Sequence, residues 1–224
     1  MKNFLRKLLW LPFHLFFIRF YSQKTRTTSI LNYSLIIRPS VFHPRYIFSS
    51  KFFGEFIGRL QLQNKIVLDM GTGSGIQGII AAAKGANVVA ADINEEAVFC
   101  AQHNAMMNNV AERMNFFHSD LFSSFENSAE QQFDYIFFNP PFYPQKPMNI
   151  SQHAWNAGEN YVVIQTFAHD ARKFLSPDGK IYFIISSDVD VPYICSLFHR
   201  FHFQTNVAAE KKMFFETLFI FEVK

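Results

Sequence analysis

Ile66-Val67-Leu68-Asp69-Met70-Gly71-Thr72-Gly73-Ser74-Gly75 decides how the rest of this chain is read. The apolar, β-branched run Ile66 to Asp69 has the composition of a buried strand. Glycines at 71, 73 and 75 then form a loop, and a helical pattern from Ile76 to Lys84 stops at Gly85. A strand, an acid and a glycine loop opening a helix let backbone approach a nucleotide-like ligand closely. The spacing excludes two alternatives. A dinucleotide fingerprint needs glycine at 76, where Ile76 stands, and a hydrolase elbow around Ser74 needs glycines where Thr72 and Ile76 stand.

Downstream, the same punctuation repeats. Asn87 to Asp92 reads as a second strand, and Asn94 as the cap of a helix that carries Glu95 and Glu96 in its first turn and runs to about Asn108. Met114 to His118 and Phe133 to Phe138 read as buried strands, a helix spans about Asn160 to Leu175, and Lys180 to Ile185 forms another strand. Phe201 to Ala209 and Met213 to Val223 are two β-like runs separated by Glu210-Lys211-Lys212. This alternation predicts an α/β, doubly wound, mostly parallel seven-stranded sheet closed by a C-terminal antiparallel hairpin, with its site at the strand carboxyl ends.

Asp92 lies 21 residues after Gly71, where an acid can accept hydrogen bonds from both hydroxyls of a ribose. Asp134 to Phe142 ends in Asn139-Pro140-Pro141-Phe142, a polar residue and two prolines at the mouth of an apolar strand, which packing alone does not explain. Gly71-x-Gly73-x-Gly75 resembles motif I of class I S-adenosylmethionine-dependent methyltransferases. The Asn-Pro-Pro-Phe segment resembles the motif by which members methylate nitrogen conjugated to a π system.

That resemblance implies S-adenosylmethionine as cofactor, held by Asp69, Gly71, Thr72, Gly73, Gly75, Asp92, Ile93 against the adenine, Asp120 toward its amine, Leu121 and Asn139. It implies that Asn139, Pro140, Pro141 and Phe142 carry the chemistry, with the Asn139 side-chain oxygen and its backbone carbonyl accepting the two amine hydrogens. Phe142 would stack on a planar acceptor. Between Lys65 and Asp188, including Trp155-Asn156-Ala157-Gly158, the chain is similar to the HemK/Mtq2-type release-factor glutamine methyltransferases, and its core motifs are shared with small RNA base methyltransferases. The acceptor implied is a protein glutamine amide first, an RNA base (adenine N6 or guanine N2) second, and a small-molecule amine third. A release-factor-like protein or RNA is the expected partner, with a small activator subunit a further one.

Upstream, the chain departs from that group, which carries an acidic stretch before the first sheet strand. Here Phe42 to Lys51 is basic and aromatic, so Arg45, Phe48, Phe142 and Trp155 are the expected substrate contacts. Net charge is +3, but nine basic residues precede the first acid, Glu55, and the remainder carries 12 basic and 18 acidic residues. The expected organisation is a basic, aromatic extension over 1–60, a lid or an anionic-partner surface, followed by a methyltransferase domain over 61–224. Leu8 to Ile18 is apolar, but it is interrupted by Pro12, far shorter than the ~20 residues of a membrane span, and followed by no small-residue cleavage site. It is expected to pack on the body of the protein. Two cysteines, Cys100 and Cys195, fit a reducing, cytoplasmic setting, and His199 and His202 lack companions for a metal site. The 29 phenylalanines read as packing.

Overall fold

The computed structural model describes residues 24–41, 48–126, 131–214 and 216–224. The apolar stretch Leu8 to Ile18 and Arg45 lie outside them. Two short strands, β1 (Arg26–Ile30) and β2 (Tyr33–Ile37), form an antiparallel hairpin, followed by α1 (Phe48–Ile57). The alternating body then comprises β3 (Ile66–Met70), α2 (Ile76–Ala83), β4 (Asn87–Asp92), α3 (Glu95–Met107), β5 (Met114–His118), β6 (Phe133–Phe138), α4 (Val162–Phe174), β7 (Leu175–Ser186), α5 (Val191–His199), β8 (Thr205–Lys212) and β9 (Thr217–Val223).

Seven strands form one sheet in the order β5-β4-β3-β6-β7-β9-β8, in which β9 alone runs against the rest. The chain builds outward from β3 through β4 to β5, then returns to the other side of β3 with β6. That reversal opens a crevice at the carboxyl ends of β3 and β6, the place where open α/β sheets bind ligands.

Alternate residues of each central strand feed opposite layers. Val67, Val88 and Phe137 join Phe53, Ile57 and Ile79 on the face covered by α1, α2 and α3. Leu68, Val89 and Phe138 join Phe122, Phe167 and Phe198 on the face covered by α4 and α5. Much of the phenylalanine content sits in this second layer, where Phe138 stacks on Phe167 at 4.1 Å between ring centroids and Phe183 stacks on both Phe198 (4.7 Å) and Phe221 (5.1 Å).

Three elements differ from the sequence reading. The polar, Ser/Thr-rich stretch Ser22 to Ser29 reads as a connector, yet Arg26 to Ile30 is a strand. Its turn, Leu31-Asn32, has φ of 50° and 71°, a two-residue hairpin turn made without glycine. Ser49 and Ser50 are residues of the type that caps a helix ahead of the apolar Phe52, Phe53, Phe56, Ile57 and Leu60, yet they lie buried inside α1. Glu210-Lys211-Lys212, read as the turn between the last strands, belongs to β8. This is an edge strand, and Lys211 there pairs with Glu55 of α1 (3.4 Å) while lying over the Phe52 ring, so a charged run is compatible with the edge. Among the described residues no helix is long and apolar enough to cross a membrane.

Candidate active site

The glycine loop is built by Asp69 from behind. Its Oδ2 accepts from the Thr72 hydroxyl (2.6 Å) and from the Gly78 amide in the first turns of α2 (2.9 Å). Burial pushes the Asp69 carboxyl up to about 6, against the pull of those two hydrogen bonds. One of its oxygens is thus committed to holding the loop's curve. The Gly71 and Thr72 amides donate to the Ala91 carbonyl (2.8 and 3.0 Å), which ties the loop to the end of β4.

Each glycine has a separate reason. Gly71, Gly73 and Gly75 all have positive φ (67°, 55° and 83°), a region costly to other L residues. A side chain at Gly71 would meet nothing within 4 Å, so the loop faces open space there. A Cβ at Gly75 would sit 3.0 Å from the Ala101 Cα, so this glycine lets the loop close onto α3.

Parallel register brings the remaining pieces alongside. Met70 pairs with Ala91 of β4 and with Phe138 of β6, so Asp92 and Asn139 follow directly on either side of Gly71. Asp92 is half-buried. Its Oδ2 accepts from the Gly73 amide and its Oδ1 from the Asn94 amide, both at 2.9 Å, leaving lone pairs on each oxygen. Burial raises its pKa, while the Asn94 and Gly73 amides and the nearby His118 and His153 rings pull it down. His118 donates from Nε2 to the carbonyl of Ile93 (2.9 Å), fixing the residue after the acid.

Asn139 is half-buried, and its amide makes no hydrogen bond to any described residue. Behind it Pro140 is buried, and Phe142 packs against the β6–α4 layer. The chain then loops out and returns: the Tyr143 amide donates to the Trp155 carbonyl (2.9 Å), and the Ala157 amide donates back to the Tyr143 carbonyl (2.7 Å). Trp155 is half-buried at the base of this loop, which also carries His153.

The sheet therefore gathers Asp69, the three glycines with Thr72, Asp92, Ile93 and Asn139-Pro140-Pro141-Phe142 at one edge. Asp120 is exposed, in a turn where Leu121 has φ of 48°. Phe48 is 55% exposed at the start of α1, whose Ser50 carbonyl accepts from Gln77 of α2 (3.0 Å). Sequence reasoning missed two supports. Ser119 ties the Asp120 turn by donating to the Leu121 carbonyl (2.7 Å) and accepting from the Ser124 amide (3.1 Å), and Asn104 reaches the loop from α3. The Ser-Asp-x-x-Ser spelling of that turn is a local signal for the first. No local signal marks the second.

The open space before Gly71, the free lone pairs of Asp92 and the unbonded Asn139 fit a nucleoside-bearing methyl donor with an acceptor beside it. The comparisons agree with that chemistry. Residues 33–215 match the family "methyltransferase small domain". A Methanocaldococcus jannaschii protein, provisionally assigned as a protein N5-glutamine methyltransferase, is 31% identical over 167 residues, 72% of this chain and 82% of that one. The chain also matches bifunctional methyltransferases from Rickettsia species, of which it spans about a quarter. Among solved structures, the E. cuniculi Mtq2–Trm112 complex aligns with a TM-score of 0.62 and 22% identity over 83% of this chain and 98% of that chain. The T. thermophilus 16S rRNA N2 G1207 methyltransferase, RsmC, aligns with a TM-score of 0.65 and 22% identity over 90% of this chain and 50% of that one. With the loop, the acid and the sheet order in place, the chain belongs to the methyltransferase small domain family and is an S-adenosylmethionine-dependent methyltransferase.

Proposed function

We propose that the acceptor is a planar nitrogen, and that it is the side-chain amide of a protein glutamine. The observation that carries this is the Asn139 amide, set by β6 directly beside the donor loop and left without a hydrogen-bond partner among the described residues. An amide nitrogen is a poor nucleophile because its lone pair is delocalised. Asn139 overcomes this by orientation: its side-chain oxygen and the carbonyl before Pro140 accept the two N–H hydrogens and turn the lone pair toward the methyl. Pro140 removes a competing backbone donor, and Phe142 supplies a flat apolar wall.

S-adenosylmethionine supplies the methyl on a positively charged sulfur. The nitrogen lone pair forms the N–C bond as the C–S bond breaks, the sulfur keeps that bonding pair and becomes neutral, and nitrogen loses one proton to solvent. The roles proposed for the chain are that Gly71, Gly73 and Asp92 hold the donor, with Ile93, Asp120 and Leu121 about the adenine, and that Phe48 and Trp155 border the acceptor. Positioned acceptors of this kind are worth on the order of 100-fold or more in rate.

Glutamine is favoured by the M. jannaschii relative, which matches this chain over most of both lengths, and by the E. cuniculi complex, which is responsible for methylation of the eRF1 translation termination factor. By the same likeness the proposal includes a small partner subunit. One observation favours RNA as the second reading: the nine basic residues ahead of Glu55, in a chain whose fold also matches an rRNA guanine methyltransferase.

Asn139 variants test the mechanism. Asn139→Ala should lower turnover about 100-fold or more while donor affinity stays within a few-fold of wild type. Asn139→Asp keeps an acceptor oxygen and should retain more activity than the alanine variant. Calorimetry with S-adenosylhomocysteine and rates with the methyl acceptor separate the two; a fully active Asn139→Ala enzyme would remove the planar-nitrogen mechanism.

A further inference from the structure

The chain from β2 onward runs alongside α3 and is tied to it at every second position. The Ser34 amide donates to Asn108 Oδ1 (3.1 Å), and Asn108 Nδ2 donates back to the Ser34 carbonyl (2.7 Å). Ile36 makes the same exchange with Asn104, at 2.7 Å from its amide and 3.0 Å to its carbonyl, and the Cys100 thiol donates to that carbonyl as well (3.0 Å). Arg38 pairs with Glu96 (2.6 Å), and Asn94 Nδ2 donates to the Ser40 carbonyl (3.2 Å). Positions 34, 36, 38 and 40 repeat with a strand's period, whereas 96, 100, 104 and 108 form one row of the helix. The two asparagine amides do for β2 what a neighbouring strand would do, offering an acceptor and a donor to one residue's backbone.

Asn104 differs from Asn108 in one respect. It is fully buried, and its Nδ2 also donates to the carbonyl of Ser74 (2.9 Å), the residue between Gly73 and Gly75. Its N–H groups therefore reach Ile36 and Ser74, with the Cys100 sulfur also at 3.5 Å, while its oxygen takes the Ile36 amide, so both donors of the side chain are in use. One helical turn away, the loop presses on Ala101, where Gly75 leaves no room for a Cβ. Replacing the donor by an acceptor would set a charge against two buried carbonyls.

We propose that Asn104 is a positioning residue for the methyl donor: it clamps Ser74 to the β1–β2 hairpin, so that the hairpin and the donor loop tighten and loosen together. This rests on the glycine loop being the donor site. Linkage is reciprocal, so donor binding should order the hairpin by as much as the hairpin favours donor binding.

The test uses the full chain with S-adenosylhomocysteine as the probe. Asn104→Asp preserves size and the acceptor for the Ile36 amide but removes the donors to the Ser74 and Ile36 carbonyls. Asn108→Ala cuts the neighbouring hairpin contact and leaves Ser74 untouched. Calorimetry should show affinity reduced at least about tenfold in Asn104→Asp and within twofold of wild type in Asn108→Ala, even where both variants melt earlier. Hydrogen exchange over residues 26–37 should slow on adding the probe to wild type, and not to Asn104→Asp. Wild-type affinity in Asn104→Asp, or equal losses in the two variants, would overturn the proposal. Should Asn104→Asp fail to fold, exchange in the wild type decides, and a hairpin indifferent to bound S-adenosylhomocysteine overturns it. Failure of the wild type to bind the probe at all would instead strike the donor-site reading itself.

Discussion

Two aspartates at the ends of neighbouring strands do different work because their surroundings differ. Asp92 is half-buried and each of its oxygens accepts one backbone amide with a lone pair left over, whereas Asp69 is buried and spends one oxygen on Thr72 and Gly78. Asp69 therefore has a pH signature. Its carboxyl titrates near 3.8 when unfolded and at about 6 when folded, because burial disfavours the charge. Between those values the folded protein holds a proton that the unfolded chain has lost, so this group favours folding at the acid end. Its cost grows as pH rises and is complete above about 6, on the order of 3 kcal/mol. Asp69→Asn removes the titration. Without donor, the unfolding free energy of Asp69→Asn minus that of wild type should rise from pH 4 to pH 6 and then level off. A difference that stays flat across that range would contradict the assignment.

The glycine loop is the element on which the site depends, and its glycines should fail in different ways. Gly75→Ala combines a φ of 83° with a Cβ 3.0 Å from backbone of α3, a position that cannot yield cheaply. It should cost about 2 kcal/mol or more in stability. Gly71→Ala meets open space, so its stability loss should be smaller and its loss of donor affinity larger. Thermal unfolding beside calorimetry distinguishes them, and the reverse order would misplace the crevice. This loop was legible in sequence because its constraints are local: positive φ demands glycine, and an apolar run followed by glycines announces a strand meeting a helix. Asn94 as the cap of α3 was legible for the same reason, and its side chain accepts from the Glu96 amide (3.1 Å). The β1–β2 hairpin was not. Thr27 and Ser29 face solvent, its turn lacks glycine, and its stabilising partners Asn104 and Asn108 lie some 70 residues further along the chain. Asn104, polar in the middle of a helix, carries no local mark of what it holds.

At the scale of the whole molecule, charge and fold are unevenly distributed. The chain carries +9 before Glu55 and −6 from Glu55 onward, the latter from 12 basic and 18 acidic residues. Lys2, Arg6, Lys7 and Arg19 precede residue 24, ahead of β1 at Arg26. Deleting residues 1–23 should therefore weaken association with RNA, with a difference that shrinks as salt rises, while S-adenosylhomocysteine affinity remains near wild type. Loss of that affinity would show that the segment completes the donor site. The proposed acceptor is a glutamine amide nitrogen, and the most direct measurement is to find the methyl. A cell extract incubated with the enzyme and radiolabelled S-adenosylmethionine should yield label in protein that survives nuclease, with mass spectrometry placing one added methyl on a glutamine side chain. Label lost on nuclease treatment, or confined to small molecules, would contradict it.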